Sequence, residues 1–363
     1  MSRRSGAQER PPSTLATYIE LTKPRIIELL LVTTVPAMAV AAGAWPGTLL
    51  VVMALVGGSL SAGGANVINQ VYDRDIDRIM KRTKSRPLPT ERVTPKAATI
   101  FGILLGIAGF VVLWLGTTLL AGLLSLVAFG FYVLVYTMLL KRSSTQNIVI
   151  GGAAGAVPAL IGWAAVTGDL SMAAWVMFAI IFFWTPPHFW ALSLKYADDY
   201  RRARIPMLPV VAGSRASYDQ ILWYSSVTVG AAFLLVPVAG LSWIYAVTAV
   251  VFGLPMVAMP MRLRSGQLHP MKYFVYTNLF LAAVFLSMLI DRLVFDSGIG
   301  GDLVWATIAT GLVLIGLAGA VAVESRPSVR AEGVSTIRHV LEVGITVSFG
   351  IGLLTVSLLT IVA

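Results

Sequence analysis

The sequence predicts an all-α polytopic membrane protein, and three observations carry that reading. Of its 363 residues, 57% are hydrophobic and only 12% are charged, against about 25% charged in a soluble domain. The apolar residues gather in runs of the length that a spanning helix needs, roughly 20 residues. The basic residues gather in every second connection between those runs, and so on one side of the bilayer, as topology signals do.

Taken in chain order, segment 1–20 is polar and basic, and the first apolar run begins only near Ile26. It reads as a cytoplasmic tail ahead of a retained span, not as a cleaved signal peptide. Candidate spans fall near 26–45, 48–68, 97–116, 118–140, 147–167, 172–194, 220–240, 243–260, 273–295, 303–323 and 341–362. The spans 220–240 and 243–260 are a short pair, joined only at Leu241-Ser242. With the N-terminus in the cytoplasm, all 27 Lys and Arg residues except Arg292 lie on the cytoplasmic side, while Asp169, Asp291, Asp296 and Asp302 lie outside. A miscounted span before residue 273 would scramble that pattern. The chain then divides into the tail, a membrane domain over 21–297 and a C-terminal extension over 298–363 that holds the last two spans.

The net charge of +10 is distributed among short loops, which argues against a nucleic-acid partner and for a lipid bilayer. The absence of cysteine excludes disulfides, thiolate metal sites and thiol nucleophiles. His188, His269 and His339 are too scattered to make a metal-ligand spacing. Two cytoplasmic connections, about 70–96 and 195–219, are long and dense in charge, whereas the outer ones are a few residues long. Binding and catalysis belong there, on loops placed by a rigid scaffold.

The second span runs into Asn66-Val-Ile-Asn69-Gln-Val-Tyr-Asp73-Arg-Asp75-Ile-Asp77. On a helix, Asn69, Asp73 and Asp77 stack on one face, Asn66 lies a turn earlier, and Asp75 points elsewhere. Three oxygen-bearing side chains in line at a helix end can hold Mg²⁺, which prefers hard oxygen ligands and keeps places for substrate phosphate. Arg78, Lys81, Arg82, Lys84 and Arg86 follow directly, and such cations match phosphate oxygens. The bland alternative is a charged loop with internal salt bridges. The ladder begins inside an apolar span, however, where ionisable groups are expensive and usually functional.

The string from Asn69 to Asp77 resembles the first aspartate-rich motif of the UbiA-type intramembrane prenyltransferases. Its continuation to Arg86-Pro-Leu-Pro89 is similar to the heme-farnesylating branch. So are Thr22-Lys-Pro-Arg25, Asn147-Ile-Val-Ile-Gly-Gly-Ala-Ala-Gly-Ala-Val-Pro158, Trp184-Thr-Pro-Pro-His-Phe-Trp-Ala-Leu192 and Ile205-Pro-Met-Leu-Pro209. The resemblance covers about residues 20–297. It implies nine helices around a central cavity, two acidic sites at cytoplasmic helix ends, and Mg²⁺-dependent transfer of a prenyl group from a diphosphate. For this branch the substrates are farnesyl diphosphate and heme B, and the product is heme O, which a heme A synthase would receive. The two C-terminal spans lie beyond the family core.

The family's second motif is a pair of aspartates four residues apart. Aligned through Ile205-Pro-Met-Leu-Pro209, those positions hold Tyr196 and Tyr200, and the carboxylates are Asp198 and Asp199. A second metal held wholly by aspartates is therefore in doubt. Asp199 is a candidate to ligate Mg²⁺ or to orient a cation. Tyr196 and Tyr200 can hydrogen-bond phosphate or shield an allylic cation with their ring faces, and Lys195 joins the diphosphate-binding set. Asp198 and the arginines at 201, 202 and 204 read equally well as a solvated loop face. Arg25, Lys81, Arg82, Arg86 and Lys141 are the expected diphosphate-binding cations. His188 follows Pro186-Pro187, where prolines are expected to open the helix backbone. It is either a packed, hydrogen-bonded histidine or an axial heme ligand. A quinone-precursor prenyltransferase is the alternative within the family, and a transporter the alternative outside it.

Overall fold

The computed structural model describes residues 13–294, so candidate spans 303–323 and 341–362 lie outside the described residues. The described elements are α1 (Thr14–Thr22), α2 (Pro24–Ala42), α3 (Thr48–Ile79), α4 (Pro95–Gly116) and α5 (Leu119–Gly130), which continues as a π-helix over Phe131–Leu140. They go on through α6 (Asn147–Thr167), α7 (Met172–Lys195), α8 (Ala197–Arg202), α9 (Leu208–Val211), α10 (Gly213–Ala239), α11 (Trp243–Arg264) and α12 (Pro270–Val294). Among the described residues, eight helices are long and apolar enough to cross a membrane: α3, α4, α5 with its continuation, α6, α7, α10, α11 and α12. They coincide with the spans expected between 48 and 295, and the span expected at 26–45 falls on α2. The narrow division near Leu241 is real, because Gly240 ends α10 in a left-handed conformation (φ 59°) and Ser242 caps α11.

The helices close into a ring. Neighbours pack in chain order from α2 to α7, α7 packs on α10, α10 on α11, α11 on α12, and α12 returns to α2. Where the ring is tightest, between α3 and α4, glycine is required. A Cβ on Gly64 would sit 2.5 Å from the Gly102 carbonyl oxygen, and one on Gly109 would sit 2.6 Å from the Ser61 nitrogen. Small residues of this kind let membrane helices approach backbone to backbone.

Two expectations change in detail. Residues 14–20, read as the end of the tail, belong to a helix (Thr14–Thr22) whose Leu21 is buried against Val67 and Leu88. The long basic connections are shorter than expected, because α3 runs on to Ile79 and α10 begins at Gly213. Amphipathic ends extend these helices past the point where hydropathy falls.

Arg292, the exception to the charge pattern, has a structural explanation. Its guanidinium donates to the Ala239 carbonyl at the end of α10, while the adjacent Asp291, fully buried, accepts from the Ser242 amide (2.9 and 3.1 Å) and hydroxyl at the start of α11. A cation at one helix's C-terminus and an anion at the next one's N-terminus each complement the helix dipole. Asp291→Ala leaves buried donors unpaired, at a cost of about 1–3 kcal/mol. The expected result is a lower midpoint of thermal unfolding in detergent. An unchanged midpoint would remove this role.

Candidate active site

Helix α3 has 32 residues and is roughly 48 Å long at 1.5 Å per residue, more than the roughly 30 Å hydrocarbon core. Its last turns therefore project beyond the apolar layer, and there the acidic ladder sits. Asn66, Asn69, Asp73 and Asp77 are all buried. Asp75 turns away, exposed, and is held by both terminal nitrogens of Arg142 at 2.7 Å.

Each buried carboxylate has a cation brought to it by a different device. The chain after α3 curls tightly, with Thr83 bonding the Asp77 carbonyl (3.1 Å). Arg86 thereby returns to bridge both Asp77 oxygens with one nitrogen, at 2.8 and 3.1 Å. Lys141 pairs with Asp73 Oδ2. It reaches that atom because the helix before it is π-wound, as in the bond from the Lys141 amide to the Tyr136 carbonyl (2.9 Å). Bonds from i to i+5 turn the chain less per residue than those of an α-helix, so side chains four and five apart share a face. Tyr132, Tyr136, Thr137 and Lys141 thus come onto one face. The two tyrosine rings lie 5.3 Å apart, and Thr137 meets Asn69 Nδ2 at 3.1 Å.

A third cation comes from the chain's start. The carbonyls of Thr22 and Leu21 accept from Asn66 Nδ2 (3.1 Å) and Gln70 Nε2 (2.6 Å), docking the α1–α2 junction on α3. Lys23, in a left-handed conformation (φ 55°) at that junction, donates to Asn69 Oδ1 at 2.8 Å. Burial, then repulsion by Arg86 and Lys141, pushes its ammonium pKa down to about 7, against the pull of Asp77 and Asp73.

The residues fit a hard divalent ion. Asn69, Asp73 and Asp77 offer oxygens on one face, and Asp73 Oδ1, buried, has no hydrogen-bond partner, which in a native site asks for a reason. No group of three or more His, Cys, Asp or Glu side chains suited to a metal occurs among the described residues; the ladder offers two carboxylates, and its third oxygen is the Asn69 amide, which here accepts from Lys23.

The second segment meets the first through its tyrosines. Tyr200 is buried with Ile76 and Met80 at the end of α3. Burial raises its phenol pKa, opposed by the charges of Arg82, Lys141 and Arg86. Tyr196 lies 5.8 Å beneath the Arg82 guanidinium and 5.6 Å from the Lys195 ammonium. Asp199, also buried, is paired with Arg202, and the exposed Asp198 with Arg201. Lys81 is exposed. The Arg25 side chain lies outside the described residues.

From this polar mouth a cavity of about 570 Å³ extends between the helices, reaching from Asn66 and Arg82 past Tyr132 and Tyr136 to His188, Phe274 and Asn278. Its walls are mostly apolar, as ligand cavities generally are. His188 stands on α7, which stays helical through Pro186 and Pro187. The backbone is not opened as expected, because packing against α6, α10 and α12 holds the helix where two of its own bonds are missing.

The model of the UbiA prenyltransferase family matches residues 30–268. The chain belongs to the UbiA prenyltransferase family. A "protoheme IX farnesyltransferase 1" of Saccharopolyspora erythraea is 52% identical over 77% of this chain and 91% of its own. The structure resembles a UbiA homolog from Aeropyrum pernix K1 (TM-score 0.63, 19% identity, 74% of this chain and 98% of that one). It also resembles a UbiA homolog from Archaeoglobus fulgidus bound to GPP and Mg²⁺ (TM-score 0.53, 16% identity, 75% and 99%).

On this UbiA scaffold the structure gathers Asn69, Asp73, Asp77, Arg86 and Lys141 into one cluster, with Arg82, Tyr196 and Tyr200 beside it. It turns Asp199 toward Arg202 instead. The reading of the residues had given Lys23, Tyr132, Tyr136 and Thr137 no site role. Lys23 carried a signal in the string Thr22-Lys-Pro-Arg25. The π-winding that aligns the other three left none.

Proposed function

We propose that the chain transfers the farnesyl group of farnesyl diphosphate to a vinyl group of heme B, with addition of water, giving heme O and diphosphate. The observation that carries this reading is the junction of two environments. An oxygen ladder flanked by Lys141, Arg86 and Lys23 opens into an apolar cavity whose wall holds an imidazole. Relatives at about half identity named protoheme IX farnesyltransferase favour heme as the acceptor.

Asn69, Asp73 and Asp77 would hold Mg²⁺, which neutralises the diphosphate and stabilises it as a leaving group. Lys141 and Arg86, now paired with the carboxylates, turn to the phosphate oxygens and take up the charge that develops as the allylic C–O bond breaks. Arg82 and Lys195 add charge at the mouth, and Arg25 joins them from the start of α2. Asp199 holds Arg202 or contributes to the metal. Tyr136, Tyr196 and Tyr200 offer ring faces to the positive carbon, a cation–π arrangement. The electron pair of the broken bond leaves with diphosphate. The vinyl π bond attacks the allylic carbon, and water adds to the neighbouring carbon and gives up a proton. The apolar walls keep bulk water from the first cation.

His188 is the heme contact on this reading. On this reading the site faces the cytoplasm from a bacterial plasma membrane, an orientation that the basic loops support, and a heme A synthase receives a product that stays in the bilayer. The experiment offers purified enzyme farnesyl diphosphate with heme B and with a hydroxybenzoate-type quinone precursor together. Prenylated heme alone is the expected product. Prenylation of the aromatic acid alone would overturn the acceptor while leaving prenyl transfer.

A further inference from the structure

His188 is held on three sides. Its ring lies between Trp184 (centroids 4.3 Å apart, planes 18° apart) and Phe274 (4.3 Å, 27°). Its Nδ1 is 2.8 Å from Thr277 Oγ1. Which of those two atoms supplies the proton is decided by Thr277. A threonine hydroxyl has one hydrogen, and Thr277 donates it to the Phe274 carbonyl at 2.7 Å. Its oxygen is left to accept, so Nδ1 carries the ring proton and Nε2 keeps its lone pair. The opposite tautomer would require Thr277 to abandon that carbonyl.

The same residue also fixes the ring's orientation. The Thr277 backbone carbonyl accepts from Trp184 Nε1 at 2.7 Å, which anchors one face of the sandwich around the imidazole. The described residues give Nε2 no hydrogen bond, and His188 lines the cavity. Residues that accept a hydrogen bond from one ring nitrogen of a histidine set which nitrogen is free to bind a metal and raise its basicity.

We infer that Thr277 is a positioning residue that holds His188 as the Nδ1–H tautomer, so that Nε2 ligates the iron of the heme acceptor from the cavity wall. The inference rests on the reading of heme as the acceptor. It adds iron ligation, which orients the porphyrin and so selects which vinyl group meets the farnesyl donor.

The test uses the full chain in detergent, titrated with ferric heme B and followed by absorbance and magnetic circular dichroism. Wild type is expected to show imidazole-ligated iron, and His188→Ala to lose that signature. Thr277→Val keeps side-chain shape and the Trp184 bond, which goes to backbone. It should bind heme about 10- to 100-fold more weakly, with a spectrum moved toward that of His188→Ala. Thr277→Ser, which restores the hydroxyl, should return both to wild type. Should the valine variant fail to fold, Thr277→Ala reads the same quantities.

If Thr277→Val matches wild type in affinity and spectrum while His188→Ala does not, the tautomer inference is overturned and iron ligation stands. Failure of the serine variant to restore the wild-type spectrum also overturns it. If His188→Ala keeps the imidazole signature, another residue is the ligand and the inference falls. Heme farnesylation, read independently from products, would be untouched.

Discussion

Asp73→Asn lowers kcat/KM for farnesyl transfer by at least about 10³-fold, on the order of 4 kcal/mol of transition-state stabilisation. Asp73 is fully buried, one oxygen paired with Lys141 and the other without a hydrogen-bond partner. The amide keeps the volume and an oxygen acceptor for Lys141 but removes the charge on which a divalent ion depends. Asp77→Asn acts similarly, because it removes the other carboxylate of the ladder and leaves Arg86 without its anionic partner. Asparagine is preferable to alanine here, since breaking a buried pair outright costs about 3–5 kcal/mol and confuses unfolding with lost chemistry. The measurement is steady-state kinetics beside a thermal melt. Near-normal turnover in either folded variant would remove these carboxylates from the reaction.

Lys141→Met reduces kcat by about 10²- to 10³-fold, the usual loss when one preorganised donor to a developing charge is removed. Negative charge on the departing diphosphate grows toward the transition state, so kcat falls more than KM rises. Methionine keeps the stem that packs at the end of the π-helix and deletes only the ammonium. Ferric heme titration separates this effect from a structural one, because His188, the proposed heme contact, lies on a different helix from Lys141. A kcat within two-fold of wild type would show that Lys141 merely neutralises Asp73.

What the sequence made legible follows physical range. Asn69, Asp73 and Asp77 were readable because an interval of four residues on a helix places side chains on one face. The spans were readable because burial in lipid is a property of composition. Lys23 was not, since its contact with Asn69 crosses 46 residues and depends on a break between α1 and α2. The face shared by Tyr132, Tyr136, Thr137 and Lys141 depends on π-winding, and the segment Phe131–Leu140 carries no proline or charge that signals it. Asp291 and Arg292 read from the sequence only as charges on the outer side. They prove to be caps on two other helices, which only the placement of α12 beside α11 and the end of α10 reveals. Pro186 and Pro187 announced an open backbone, and the neighbouring helices kept it closed.

The most direct test incubates the purified protein with heme B, farnesyl diphosphate and Mg²⁺, with and without chelator, and reads heme products by chromatography and mass. The account predicts a product heavier than heme B by one farnesyl and one hydroxyl group, formed with release of diphosphate and abolished by chelation. Unchanged heme, with the diphosphate intact or spent on another acceptor, would contradict it.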